Sequence, residues 1–84
     1  MNKILIKYRG QLTSLTGMQE ESLEADNVKS VLKSIRQRHG REAEKTARAM
    51  LIALNGESIL LLKHYKTVLK DGDIISFFPL CAGG

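Results

Sequence analysis

Apolar residues change their spacing several times along this chain, and each change marks a structural element. In Lys3-Ile4-Leu5-Ile6-Lys7-Tyr8, β-branched and aromatic residues predict a strand. Period-2 alternation puts Ile4, Ile6 and Tyr8 on one face and Lys3, Leu5 and Lys7 on the other. Gly10 breaks the pattern, and Leu12 and Leu15 suit one helical turn before Gly17. A second strand, at a sheet edge, is expected over about Gln19 to Leu23, where the carboxylates of Glu20, Glu21 and Glu24 discourage pairing with another molecule. The clearest helix follows: Val28, Val31, Leu32 and Ile35 fall at i, i+3, i+4 and i+7 and form one apolar stripe. Asp26 or Asn27 can cap its start, and Gly40 stands where a left-handed residue would end it. Arg41 to Met50 reads as a less regular helical stretch with Ala43, Ala47 and Met50 on one side.

Leu51 to Leu54 predicts a third strand, and Asn55-Gly56 is a strong hairpin signal because both central residues of a type I′ turn need positive φ. Ser58 to Leu62 is read as the returning strand. Lys63 to Lys70 is then a connector with a helical turn around Tyr65 to Leu69. Asp71-Gly72-Asp73 turns into a last strand, Ile74 to Phe78, which Pro79 ends. The order is ββαββ with a short final strand added: an α+β chain with one main helix on one face of a mixed sheet. Pairing the first and last strands in parallel at the centre gives the β-grasp arrangement, although the pattern alone leaves other α+β orders open. The domain is expected over 1–78, with an extended tail over 79–84.

The last strand is apolar on both faces, with Ile75 and Phe77 on one and Ile74 and Phe78 on the other. The first and third strands repeat this, as strands buried on both faces do. A single layer of helix covers only one face. The other should therefore expose an apolar patch, with Leu5, Ile74 and Phe78 as its members, and such patches mark partner surfaces.

Composition narrows the function classes. The chain has 84 residues and one cysteine, so it is one domain with no internal disulfide. The start of the chain lacks a secretory pattern and no apolar run is long enough to span a membrane, so a cytoplasmic protein that does not engage membranes is expected. Net charge is +4, with the densest basic stretch at Lys29, Lys33, Arg36, Arg38 and Arg41. No aromatic residue interleaves it, so it reads as a solvated helix face and not as a nucleic-acid surface.

Intrinsic catalysis finds little support. His39 and His64 stand apart from each other and from any telling carboxylate or thiol, and with one cysteine they make a poor metal site. No phosphate-binding glycine loop occurs. Asp71 and Asp73 flank a glycine in a turn, which is their ordinary use. What remains is the end of the sequence, Leu80-Cys81-Ala82-Gly83-Gly84. A Gly-Gly end arises by chance about once in two hundred chains, so the dipeptide alone is only suggestive.

The segment from Leu51 to Gly84, with its strand into Asn55, Asp71-Gly72-Asp73, Phe77-Phe78-Pro79 and Gly83-Gly84, resembles the C-terminal half of MoaD-type proteins, the small subunits of molybdopterin synthase. These are similar to ThiS sulfur carriers and to ubiquitin-related modifiers, and the N-terminal half agrees in outline. In two respects the chain departs from the family: Leu80 stands where a second proline is common, and the charge balance is basic.

The resemblance implies a ubiquitin-like sulfur carrier. An adenylating enzyme would use ATP and Mg²⁺ to convert the Gly84 carboxylate to an acyl-adenylate. A sulfur donor protein would then leave a thiocarboxylate there, and a large synthase subunit would receive the sulfur. This chain itself would bind no cofactor. Gly83 would give the tail clearance, since a residue without Cβ threads a narrow channel. Phe78 and Pro79 would set the exit of the tail. Ile74, Leu5, Leu80, Cys81 and Ala82 would complete the partner-binding surface. Given a two-electron oxidant, Cys81 could form an acyl disulfide with the thiocarboxylate; it could also accept a persulfide, or serve only as a small apolar filler. Conjugation through Gly84 to lysines, or a plain β-grasp interaction module, are the competing readings.

Overall fold

A computed structural model describes residues 2–80. The chain runs β1 (Asn2–Lys7), α1 (Gln11–Thr16), β2 (Glu20–Ala25), α2 (Val28–His39), α3 (Arg41–Arg48), β3 (Leu51–Leu54), β4 (Glu57–Ser58) and β5 (Ile74–Phe78). Two single turns of 3₁₀ helix, Ile59–Leu61 and His64–Lys66, occupy the connection between β4 and β5. The five strands form one sheet in the order β2-β1-β5-β3-β4. β5 runs parallel to β1 and antiparallel to β3, so the first and last strands meet inside the sheet as expected.

One face carries the helices. Ile4, Ile6, Ile52, Ile75 and Phe77 pack there against Leu12 of α1, Ala43 and Ala47 of α3, and the α2 stripe. Val28, Val31, Leu32 and Ile35 are fully buried, as their spacing predicts. Asn27, not Asp26, caps α2: its Oδ1 accepts from the Ser30 backbone N–H at 2.8 Å. Gly40 has positive φ, but its ψ of 173° is extended, so it does not close α2 in the left-handed conformation. It leads directly into α3, and the stretch beyond it is more regular than its sequence suggests.

The edge strand differs from its expected form in two respects. β2 extends to Ala25, and Glu21 does not guard the open edge. Its carboxylate turns toward the helix side, where Oε1 accepts from the Tyr8 hydroxyl and contacts His39 Nε2, both at 2.6 Å. Oε2 accepts from Arg38 at 2.9 Å. Glu21 of β2 thus ties the last turn of α2 to Tyr8, the residue that follows β1, while the buried Tyr8 ring stacks on Phe77. Burial pushes the Glu21 carboxyl up, but the Tyr8 and His39 hydrogen bonds, the His39 charge and the Arg38 contact outweigh it and hold the group below its ordinary value. Burial, and then the Glu21 carboxylate, push the Tyr8 hydroxyl up. A carboxylate depressed in the folded state stabilises fully above its unfolded pKa, and that contribution disappears as pH falls through the folded value. Urea midpoints should therefore drop as pH descends below the ordinary glutamate value of about 4.3. Glu21→Gln should flatten that part of the profile, and identical acid profiles for the two proteins would contradict the assignment.

The Asn55-Gly56 turn has the expected positive φ at both residues, 51° and 89°. The returning strand is much shorter than predicted. β4 stops at Ser58, because Ile59 turns inward to only 2% exposure and starts a 3₁₀ turn. The apolar run Ile59 to Leu62 therefore lies in a loop, where all of its residues but Ile59 face outward.

Candidate functional site: the open sheet face and the root of the tail

Asn55 and the Asp71-Gly72-Asp73 turn fix where β5 enters the sheet. Asn55 Oδ1 accepts from the Ile74 N–H at 2.9 Å, and its amide donates to Asp73 Oδ1 at 3.0 Å. Asp73 Oδ2 accepts from the Lys70 N–H, and Asp71 Oδ1 accepts from the Lys3 N–H. Leu5 N–H reaches the Asp73 carbonyl, and Gly72 N–H reaches the Lys3 carbonyl. Both aspartates are thus occupied in setting the β1–β5 register, which supports the turn reading of this pair.

That register lays out the face opposite the helices. Leu5 lies beside Ile74, Ser76 sits between Lys7 and Ala53, and Phe78 lies beside Leu51. Lys3 and Lys7 stand opposite Glu24 and Glu20 across β1–β2, giving the apolar centre a charged margin. Leu5, Ile74 and Phe78 do share this face, but they are half-buried, not fully exposed, and Ser76 interrupts them. The Arg9 guanidinium also lies 5.0 Å from the centre of the Phe78 ring. The expected patch is therefore present, smaller and more polar than the strand pattern suggests.

After Phe78 the chain crosses the β1–α1 corner. Gly10 holds φ 60° and ψ −134°, a combination that glycine adopts readily and other residues do not. A Cβ there would come within 2.8 Å of Pro79 Cγ. Pro79 is thus seated against the bare Gly10 backbone, which fixes the direction in which the tail leaves β5. Gly10→Ala should cost about 1–3 kcal/mol and displace Pro79. Urea unfolding and the Leu80 amide chemical shift report the two effects, and an unshifted Leu80 would contradict this role for Gly10.

Leu80 follows with 61% exposure. Cys81, Ala82, Gly83 and Gly84 lie outside the described residues, so their assigned roles rest on sequence alone. Among the described residues, no group of three His, Cys, Asp or Glu side chains is arranged to hold a metal. No helix of the described residues is long and apolar enough to cross a membrane.

A family model described as the ThiS family matches residues 6–84, all but the first strand's beginning. The chain belongs to the ThiS family. Solved structures agree. This member of the ThiS family is similar to the small archaeal modifier protein SAMP1 of Methanosarcina acetivorans, with 25% identity and a TM-score of 0.88 over 100% of this chain and 98% of that one. It is also similar to a putative molybdopterin converting factor subunit 1 from Pyrococcus furiosus, with 27% identity and a TM-score of 0.78 over 96% of this chain and 100% of that one. The fold recurs in a complex of subunits 1 and 2 of the molybdopterin-converting factor from Helicobacter pylori, at 23% identity and a TM-score of 0.70, covering 98% of this chain and 99% of that one. No curated protein matches the sequence. The β-grasp, ubiquitin-like fold of the ThiS family thus agrees with the strand order and the parallel β1–β5 pair described above.

Proposed function

We propose that this protein is a sulfur carrier whose working group is the carboxylate of Gly84. The root of the tail carries the reading: β5 is locked in register by Asn55 and Asp73, and Pro79 is seated on Gly10. The chain is thereby sent off the sheet in one direction, beside a half-buried apolar face.

A carboxylate is a poor electrophile and needs activation. An oxygen of the Gly84 carboxylate attacks the α-phosphorus of ATP in the adenylating enzyme, and pyrophosphate leaves. The outer sulfur of a persulfide on the sulfur donor then attacks the acyl carbon, and AMP leaves with the electron pair of the broken C–O bond. A thiol attacks the donor's sulfur in the resulting acyl disulfide, which releases the thiocarboxylate and leaves a disulfide on the donor. The absence of a Cβ keeps the acyl carbon open to the incoming nucleophile. The fold acts as a handle: Leu5, Ile74, Leu51 and Phe78 offer the grip, and Gly83 lets the tail pass through a narrow channel. The Pyrococcus relative's description favours molybdopterin as the destination of the sulfur, with a large synthase subunit as the protein that receives the tail. One observation favours a second reading, conjugation to lysines: the likeness to the archaeal modifier protein.

Intact-mass spectrometry of the protein purified from its own cells tests both. The sulfur-carrier reading predicts the mass gain of one oxygen replaced by sulfur, located at Gly84 and lost on mild alkylation and hydrolysis. Isopeptide adducts of Gly84 on other proteins, with no thiocarboxylate under active conditions, would support the modifier reading instead.

A further inference from the structure

Leu80, the last described residue, is 61% exposed and forms part of the wall of a groove of about 210 Å³. Leu60, at 66% exposure, lines the same groove with Met50 and Ile59. The loop that carries Leu60 is held by its own bonds. Ile59 is buried beside it, and the Leu60 N–H donates to Ser58 Oγ at 3.2 Å. Leu60 is thus presented to solvent on a fixed frame, and an occupant of the groove would relieve the cost of its hydration.

Two side chains in the lining can receive an anion, Arg48 and His64. Arg48 is fixed from two sides: Glu44 Oε2 accepts from its Nε and Nη2 at 3.3 and 3.1 Å, and its guanidinium lies 5.2 Å from the centre of the Tyr65 ring. Its Nη1 makes no hydrogen bond among the described residues. Glu44, which Arg48 occupies, and Glu57 of β4 stand beside the groove, and no carboxylate is in the lining itself.

One segment that suits this groove is already attached to it. Cys81-Ala82-Gly83-Gly84 follows Leu80 and reaches about 13 Å when extended, enough to cross a groove of this volume. Cys81 and Ala82 are small and apolar, and the two glycines let the chain bend. On the sulfur-carrier reading the segment ends in a carboxylate, which Arg48 and His64 can bind. Tethering holds it at about millimolar effective concentration, an advantage that a free partner lacks. Leu80 is also where the chain departs from the family's pattern. A proline there would fix φ and withhold the leucine side chain from the groove.

We propose that the tail parks in this groove, with Cys81 and Ala82 against Leu60 and the Gly84 carboxylate on Arg48 Nη1 and the His64 ring. The parked form withholds Gly84 from the adenylating enzyme until the tail is released. This rests on the sulfur-carrier reading. Leu51 borders both the groove and the sheet face, through its pairing with Phe78, so a protein that grips the face stands next to the tail that it takes up.

The test uses the full chain, isotope-labelled for NMR and first without enzyme. The Gly83 amide should be restrained in the parent, with an order parameter above about 0.6, and should fall below that value in Leu60→Ser and in Arg48→Gln. Both side chains are exposed, so thermal unfolding should match the parent. In ATP–pyrophosphate exchange by the adenylating enzyme of the same cell, KM for each variant should fall about fivefold with kcat unchanged, because the open form is no longer a minority. A Gly83 amide as mobile in the parent as in both variants overturns the proposal and leaves the carrier reading in place. Unaltered KM in both variants overturns it too. Raised KM in either variant makes the groove a contact of the enzyme and does the same. A restraint on Gly83 that grows with protein concentration seats the tail in a second copy and also overturns it. A parent that is not adenylated at all removes the carrier reading, and the withholding of Gly84 with it.

Discussion

Phe77→Ala should unfold much of the population at ambient temperature, whereas Phe78→Asp, one residue away, should leave the domain folded and unable to dock. Phe77 is fully buried, stacked on Tyr8 and packed in the cluster between sheet and helices. Truncating such a ring costs about 3–5 kcal/mol. Native domains have about 5–15 kcal/mol in total, and a single core this small lies at the low end of that range, where the loss takes most of the margin. Phe78 points the other way, half-buried on the open face beneath the Arg9 guanidinium. An aspartate there stays hydrated and faces a cation, so the native state loses little. An apolar partner surface would instead meet an unpaired charge, and affinity should fall about thirtyfold or more. Urea unfolding and titration with the adenylating enzyme, run on both variants, separate the two effects. If Phe78→Asp unfolds like Phe77→Ala, Phe78 belongs to the core and the open face is not the grip.

This contrast was legible in the sequence, because side chains alternate along a strand whatever its neighbours do. The same holds for the α2 stripe and for Asn55-Gly56, where local geometry decides. Position along the chain was less informative where long-range partners decide. Glu21 looked like a guard on an edge strand, yet Tyr8, Arg38 and His39 recruit it from two other elements. Nothing in the spacing of those residues signals the meeting. The run Ile59 to Leu62 read as a strand because four apolar β-compatible residues follow a hairpin turn. Inward anchoring by Ile59 and the hydrogen bond to Ser58 Oγ convert it to a 3₁₀ turn with outward leucines. Basic residues in every third or fourth position after it were the available clue, since a strand returning to a sheet has no need of them. Gly10 carried a weak signal as a strand breaker. Its real constraint, the 2.8 Å approach to Pro79, comes from a residue 69 positions away.

Removal of Gly84 should have the second large effect, and a qualitatively different one. The core between sheet and helices is built from residues within 4–77, so stability should be unaffected. Chemistry should be lost entirely, because the carboxylate would then belong to a residue one position short of the adenylating site. Gly84→Val, which keeps the length and adds a branched side chain beside the acyl carbon, should retain docking with KM near that of the parent and lose most of kcat. Loss of binding in that variant would mean that the last residue contributes affinity as well as chemistry.

On the sulfur-carrier reading, the fold is a handle for the acyl group of Gly84. ATP–pyrophosphate exchange with the adenylating enzyme, comparing the full chain with a chain lacking Gly84, tests this most directly. Exchange that depends on the full chain and vanishes without Gly84 is the predicted result. Equal exchange with both chains, or none with either under conditions where the enzyme is active on another carrier, would contradict it.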